Sequence, residues 1–228
     1  MSKVVVITGA TDGLGRALAL QLDGKYKLAL CGRSMNKMED LLLYLKGDVY
    51  YECFDITDEE KRNAFCENVI KHYGTVDVLV NNAGANTKKD KVVEINLDDL
   101  RYMFELNCVS SLGMIQKMYP TMSKNQSGLI VNVLSSCCLF HSSTAGSYTA
   151  SKDAMEAISK ILLKEVKHEN IGVCSVYPGG IDTNFRLVPN HNYLHPDTVA
   201  KMIVACIENE EGCVHDLVIR PFIEDNIA

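Results

Sequence analysis

A chain of 228 residues, 47% hydrophobic and 23% charged, with a mean hydropathy near zero, has the balance of a soluble globular protein and excludes a disordered or fibrous one. A formal charge of −6 argues against a nucleic-acid partner, which would need clustered Lys and Arg. The nine cysteines form no CxxC pair in a chain large enough to fold without staples, so they read as reduced thiols in a cytoplasmic protein, and no apolar run is long enough to expect a membrane association.

Seven short apolar runs read as buried strands: Val4 to Ile7, Lys27 to Cys31, Val49 to Phe54, Val76 to Val80, Leu129 to Leu134, Val173 to Tyr177 and Leu217 to Ile219. Helical stretches separate them. A capping box Thr57-x-x-Glu60 opens one that stops at Gly74, a second follows Asn96, a third runs from about Ser147 to Asn170, and Pro196 stands in the first turn of another. Alternation of this kind gives βαβ units, hence an α/β doubly wound Rossmann-type sheet of about seven mostly parallel strands with helices on both faces, read as one domain over residues 1–228.

The first run leads into Thr8-Gly9-Ala10-Thr11-Asp12-Gly13-Leu14-Gly15. A turn between strand and helix offers backbone amides and the positive end of a helix dipole to a pyrophosphate, and glycine lets that group approach. The spacing is GxxxGxG rather than GxGxxG. Asp12 places a negative charge in the turn, a point against phosphate binding. The second strand ends at Arg33, where an NAD enzyme has an acidic residue for the ribose 2′-hydroxyl, so NADP(H) is favoured over NAD(H). Asp55, with Ile56 beside it, ends the third strand where an adenine amino group could be bound.

Tyr148 and Lys152 are four apart on the long helix, so both project from one face. A tyrosine hydroxyl titrates near 10 in isolation and needs a nearby cation to work as an acid or base at neutral pH. Lys152 is placed to be that cation. Ser135 ends the fifth strand on the side where ligands of open α/β sheets collect, and its hydroxyl could polarise a substrate carbonyl. Cys137, Cys138 and His141 nearby make a poor tetrahedral set without a fourth ligand, so no metal is expected, and the two thiols read as pocket lining or as small apolar packing.

TGATDGLG from Thr8, NNAG from Asn81, Ser135 thirteen residues before Tyr148, YTASK from Tyr148 and PGGIDT from Pro178 together resemble the short-chain dehydrogenase/reductases of the compact type. The resemblance implies hydride transfer between a nicotinamide cofactor and a carbonyl or secondary alcohol. Tyr148 would act as general acid/base, Lys152 would lower its pKa and bind the ribose, and Ser135 would polarise the carbonyl. Asn107 would hold a water linking Lys152 to solvent. Gly9, Gly13 and Gly15 would line the pyrophosphate turn. Asn81, with Ala83 and Gly84, would serve the central sheet and ribose region, and Pro178, Gly179, Ile181 and Thr183 the nicotinamide end.

The segment at about 184–195 is short for a substrate lid and offers Phe185, Arg186, Leu187, Val188 and Tyr193, with Arg186 a candidate anion clamp. Lys88, Lys89 and Lys91 form a basic loop after NNAG. His191 and His195 read as loop residues. The final strand lacks the Asp-Gly-Gly ending of many tetrameric relatives, which favours a homodimer through the helices carrying Asn107 and Tyr148, with a tetramer still possible. The competing readings are a reductase of 3-ketoacyl thioesters and a non-catalytic NADP-sensing module.

Overall fold

β-Branched and aliphatic residues alternating between two covered faces build seven strands: β1 (Val4–Thr8), β2 (Lys27–Gly32), β3 (Val49–Cys53), β4 (Val78–Asn81), β5 (Gly128–Val133), β6 (Ile171–Pro178) and β7 (Asp216–Ile219). The computed structural model describes residues 2–185 and 190–224. The strands form one sheet in the order β3-β2-β1-β4-β5-β6-β7, and every neighbouring pair is parallel, β7 included.

Helices cover both faces: α1 (Gly13–Leu22), α2 (Met35–Leu42), α3 (Glu59–Tyr73), α4 (Leu97–Phe104), α5 (Ser110–Asn125), α6 (Gly146–Val166) and α7 (Pro196–Glu208). Val5 and Ile7 of β1 enter one core with residues of α1, α2 and α7. Val6 enters the other with residues of α3, α5 and α6. Burial on both sides is why the central strands read as continuous apolar runs. Among the described residues no helix is long and apolar enough to cross a membrane.

The expected helix boundaries hold with one correction. The cap of α3 is Asp58, whose carboxylate accepts from the Lys61 amide at 3.1 Å; the Thr57 hydroxyl instead donates to Asp55 Oδ1 at 2.8 Å. A neighbouring carboxylate outcompetes the helix amides for that hydroxyl. Gly74 closes α3 in the left-handed region at φ 80°, Asn96 caps α4, and Pro196 opens α7 behind the side chain of His195. The chain runs from β1 out to the β3 edge, then returns to β4 on the other side of β1. This reversal opens a crevice at the carboxyl ends of β1 and β4.

Candidate active site

A cleft of about 960 Å³ occupies that crevice. One wall is the turn after β1, where Gly9 and Gly13 take φ of +66° and +47°, conformations that a side chain would strain. Thr11, Asp12, Gly13 and Leu14 line the cleft with Gly9. Thr8 lies behind the turn: its buried hydroxyl accepts from the amides of Asn82 and Ala83 at 3.0 and 2.9 Å. Asn82 answers by donating Nδ2 to the carbonyls of Thr8 and Gly9. These bonds fasten the β1 turn to the end of β4. Gly15 also sits behind the wall, its α-carbon packed toward the carbonyl of Gly9.

At the end of the cleft formed by the turn after β2, Arg33 is exposed at the edge beside Ser34 and Lys37. Ser34 caps α2 by accepting from the Lys37 amide, and that turn carries the Lys37 ammonium back to an ion pair with Asp12. Asp12 also accepts from Gly13 N at 2.8 Å and from Asn184 Nδ2 at 3.4 Å. Burial alone would raise its pKa, but Lys37, the Gly13 amide and Asn184 outweigh it and hold the carboxyl below its usual range. The acidic residue that counted against phosphate binding therefore has its own counter-ion. Lys37 was missed from sequence; its legible signal is a lysine three residues after the cap Ser34 and four after Arg33. Asp55 does not line the cleft, its Oδ1 accepting from both the amide and the hydroxyl of Thr57, whereas Ile56 does line it.

Ser135, Tyr148 and Lys152 line the opposite end. Ser135 follows β5, and its hydroxyl accepts from Cys137 N at 3.2 Å. The Tyr148 ring meets Phe185 edge-on at 6.0 Å. Lys152 is only 4% exposed and donates to the carbonyl of Val133 at 2.8 Å. Burial lowers its pKa from 10.5 to about 8, against an opposing pull from the thiols of Cys137, Cys138 and Cys108.

Asn107 is buried in a π-helical turn, Glu105–Val109, between α4 and α5. Its Oδ1 accepts from the Ala85 amide and its Nδ2 donates to Ala85 O and Ser151 Oγ, all at 3.0 Å. Ser151 Oγ then donates to the carbonyl of Tyr148. Asn107 thus ties the loop after β4 to the helix carrying Tyr148 and Lys152, and does not itself line the cleft. Asn81 is also buried away from it and donates to Asn132 Oδ1 on β5 at 2.9 Å. Gly84 faces the lysine: a Cβ there would lie 2.8 Å from Asn107 Oδ1 and 3.2 Å from Lys152 Nζ.

Pro178, Gly179, Ile181 and Thr183 line the cleft after β6, with Ala83 and Gly84 across from them. The segment that follows is pinned at its base, where Asp182 accepts from the Asn190 amide and pairs with His191, and Ile181 bridges Leu194. Tyr193 and Phe185 reach the cleft. Arg186, Leu187 and Val188 lie outside the described residues. Lys88 and Lys89 reach the cleft rim, while Lys91 pairs weakly with Glu94 on the surface. Cys137 and Cys138 are absent from the cleft wall and pack beside it.

Fold and cleft are those of the doubly wound nucleotide-binding class. A family model described as short chain dehydrogenase matches residues 3–192, and the chain belongs to that family of oxidoreductases. It is 28% identical over 234 residues to an NADP-dependent 3-hydroxy acid dehydrogenase of Schizosaccharomyces pombe, covering 93% of this chain and 89% of the relative. Among solved structures, ElxO with NADP bound matches with a TM-score of 0.85 and 26% identity, over 96% of this chain and 97% of that one. An alcohol dehydrogenase from the archaeon Thermococcus sibiricus, complexed with 5-hydroxy-NADP, has a TM-score of 0.88 at 24% identity and 97% coverage of both chains.

Proposed function

We propose that the protein transfers a hydride between NADP(H) and a small carbonyl or secondary alcohol substrate. The carrying observation is that one cleft joins a glycine turn flanked by Arg33 and Lys37 to a wall presenting Ser135, Tyr148 and Lys152. The residues fit a dinucleotide: a Cβ on Gly84 would crowd Lys152 Nζ where a ribose would lie, and the two cations stand where a 2′-phosphate would. Arg33, Lys37, Gly9, Gly13 and Thr183 would hold the cofactor. When bound, the cofactor supplies or takes the hydride.

In the reducing direction, the Ser135 hydroxyl donates to the carbonyl oxygen, a bond that strengthens as negative charge gathers there. The Tyr148 hydroxyl gives its proton to that oxygen. The Lys152 ammonium stabilises the resulting phenolate; with its pKa near 8 it is mostly charged at neutral pH. Two NADP-linked relatives support the cofactor preference. A hydroxy acid is the substrate reading favoured by the rim, where Lys89 lines the cleft with no ion pair among the described residues and could meet a carboxylate. A homodimer through the helices carrying Asn107 and Tyr148 is part of the proposal, supported by apolar Tyr102, Val109 and Ile161 left exposed on and beside them.

The test is a panel of ketones, aldehydes, quinones, 3-keto acids and 3-ketoacyl thioesters assayed with NADPH and with NADH. Turnover with NADPH is expected, and none across the panel despite tight NADPH binding would replace catalysis with sensing.

A further inference from the structure

The turn that leaves β6 is held from behind the cleft by the segment that follows β7. Glu224 Oε1 accepts from the Gly180 amide at 2.7 Å, and Glu224 Oε2 accepts from Arg220 Nε at 3.1 Å. Arg220 Cζ lies 4.3 Å from the centre of the Phe140 ring, and the Phe140 amide donates to the Ser136 carbonyl in the turn after Ser135. The Arg220 and Glu224 side chains are largely buried, 14% and 19% exposed. The Glu224 amide donates to the Pro221 carbonyl at 3.0 Å, which bends the segment back toward β6.

This packing accounts for two glycines that backbone conformation does not, since neither Gly179 nor Gly180 takes a positive φ. A Cβ on Gly179 would overlap Glu224 Oε2, and one on Gly180 would lie 2.6 Å from Tyr193 Cδ1. The peptide groups of Gly180 are bonded on both sides, its amide to Glu224 and its carbonyl to the Leu194 amide at 3.0 Å. Gly179, Ile181 and Tyr193 are themselves cleft wall.

We infer that Glu224, oriented by Arg220, is a positioning residue that fixes the turn after β6 against the turn that follows Ser135. The catalytic consequence rests on the proposed hydride transfer; the clamp itself does not. One carboxylate that bonds both an amide and a guanidinium makes two charge-assisted bonds, each stronger than its neutral counterpart. Arg220 carries the restraint on to Phe140 by stacking on its ring. Arg33 and Lys37 stand at the other end of the cleft, so loosening the clamp leaves them in place.

Glu224→Ala and Glu224→Gln are compared with the wild type as full chains. Hydrogen exchange at the Gly180 amide accelerates by about tenfold or more in Glu224→Ala, and by less in Glu224→Gln, which retains an acceptor. NADPH affinity falls several-fold in Glu224→Ala while affinity for 2′,5′-ADP, which probes the Arg33 end, is unchanged; a general loss of structure would weaken both. A displaced wall lowers kcat/KM in Glu224→Ala by about tenfold to a hundredfold, and Glu224→Gln recovers most of it. Unchanged exchange at Gly180 overturns the clamp, and faster exchange with NADPH affinity and turnover both unchanged overturns its positioning role. A wild type that turns over no carbonyl substrate counts against hydride transfer alone, and the exchange rates with the NADPH and 2′,5′-ADP affinities still decide the clamp.

Discussion

The two ends of the cleft are made of different materials. At the β1 turn the contacts are mostly main-chain groups held by Thr8 and Asn82, and their geometry follows from the conformations of two glycines four residues apart, Gly9 and Gly13. At the other end, groups from β5, α6 and the segment after β6 converge, and a buried π-helical turn holds them together through Asn107. A backbone cradle is fixed by local sequence, whereas a side-chain set depends on every element that positions it.

The sharpest way to test that division is Tyr148→Phe, which removes one hydroxyl from the side-chain end and leaves the cradle untouched. Turnover is expected to fall by about 10³-fold or more, with NADPH affinity by fluorescence titration nearly unchanged; comparable turnover would remove Tyr148 from the mechanism. Next in size is Arg33→Ala. Loss of a charge-assisted bond worth about 1.5–3 kcal/mol weakens NADPH by roughly 10- to 150-fold with little effect on NADH, and equal losses for both cofactors would defeat the 2′-phosphate assignment.

A third change reverses the usual sign. Lys152 keeps its charge in a buried position at a cost to stability, because its pKa falls from 10.5 to about 8 on folding. The unfolded chain then binds more protons between those values, so this group makes stability rise with pH from about 8 to 10.5 and penalises the fold below pH 8. Lys152→Met should be inactive yet melt a few degrees higher at pH 7, a gain limited by the Val133 carbonyl it leaves unpaired. By thermal denaturation, the advantage over the wild type should shrink at pH 10.

The smallest effect belongs to Lys37→Ala at the cradle end. Its ion pair with Asp12 is about half exposed, so folding stability should change by under about 1 kcal/mol. Removing it leaves the Asp12 charge uncompensated beside the phosphates, and NADPH binding should weaken several-fold. Unchanged affinity would show that Asp12 needs no counter-ion there.

Much of the molecule was legible because its signals are local. Period, caps and glycine spacing lie within a few residues of one another, so seven strands, the glycine turn after β1 and the Tyr148–Lys152 register could be read directly. The cap of α3 moved from Thr57 to Asp58 because two adjacent polar groups compete for the same partners, and propensity does not rank them. Asn81 and Asn107 were picked out by motif, but their side chains point into the protein, to Asn132 and to Ala85 with Ser151. A motif marks a position; direction comes from the backbone around it.

The sequence by itself determined the sheet, the order of its elements and the residues that gather at its carboxyl edge, since those follow from hydrophobic period and right-handed crossovers. Only the tertiary structure decided which distant charges meet. Lys37 neutralises Asp12 across 25 residues, and Cys138 comes to rest against Asp153 and Glu156. Electrostatic and ligand contacts form through space, and packing of the turn and helices sets those distances.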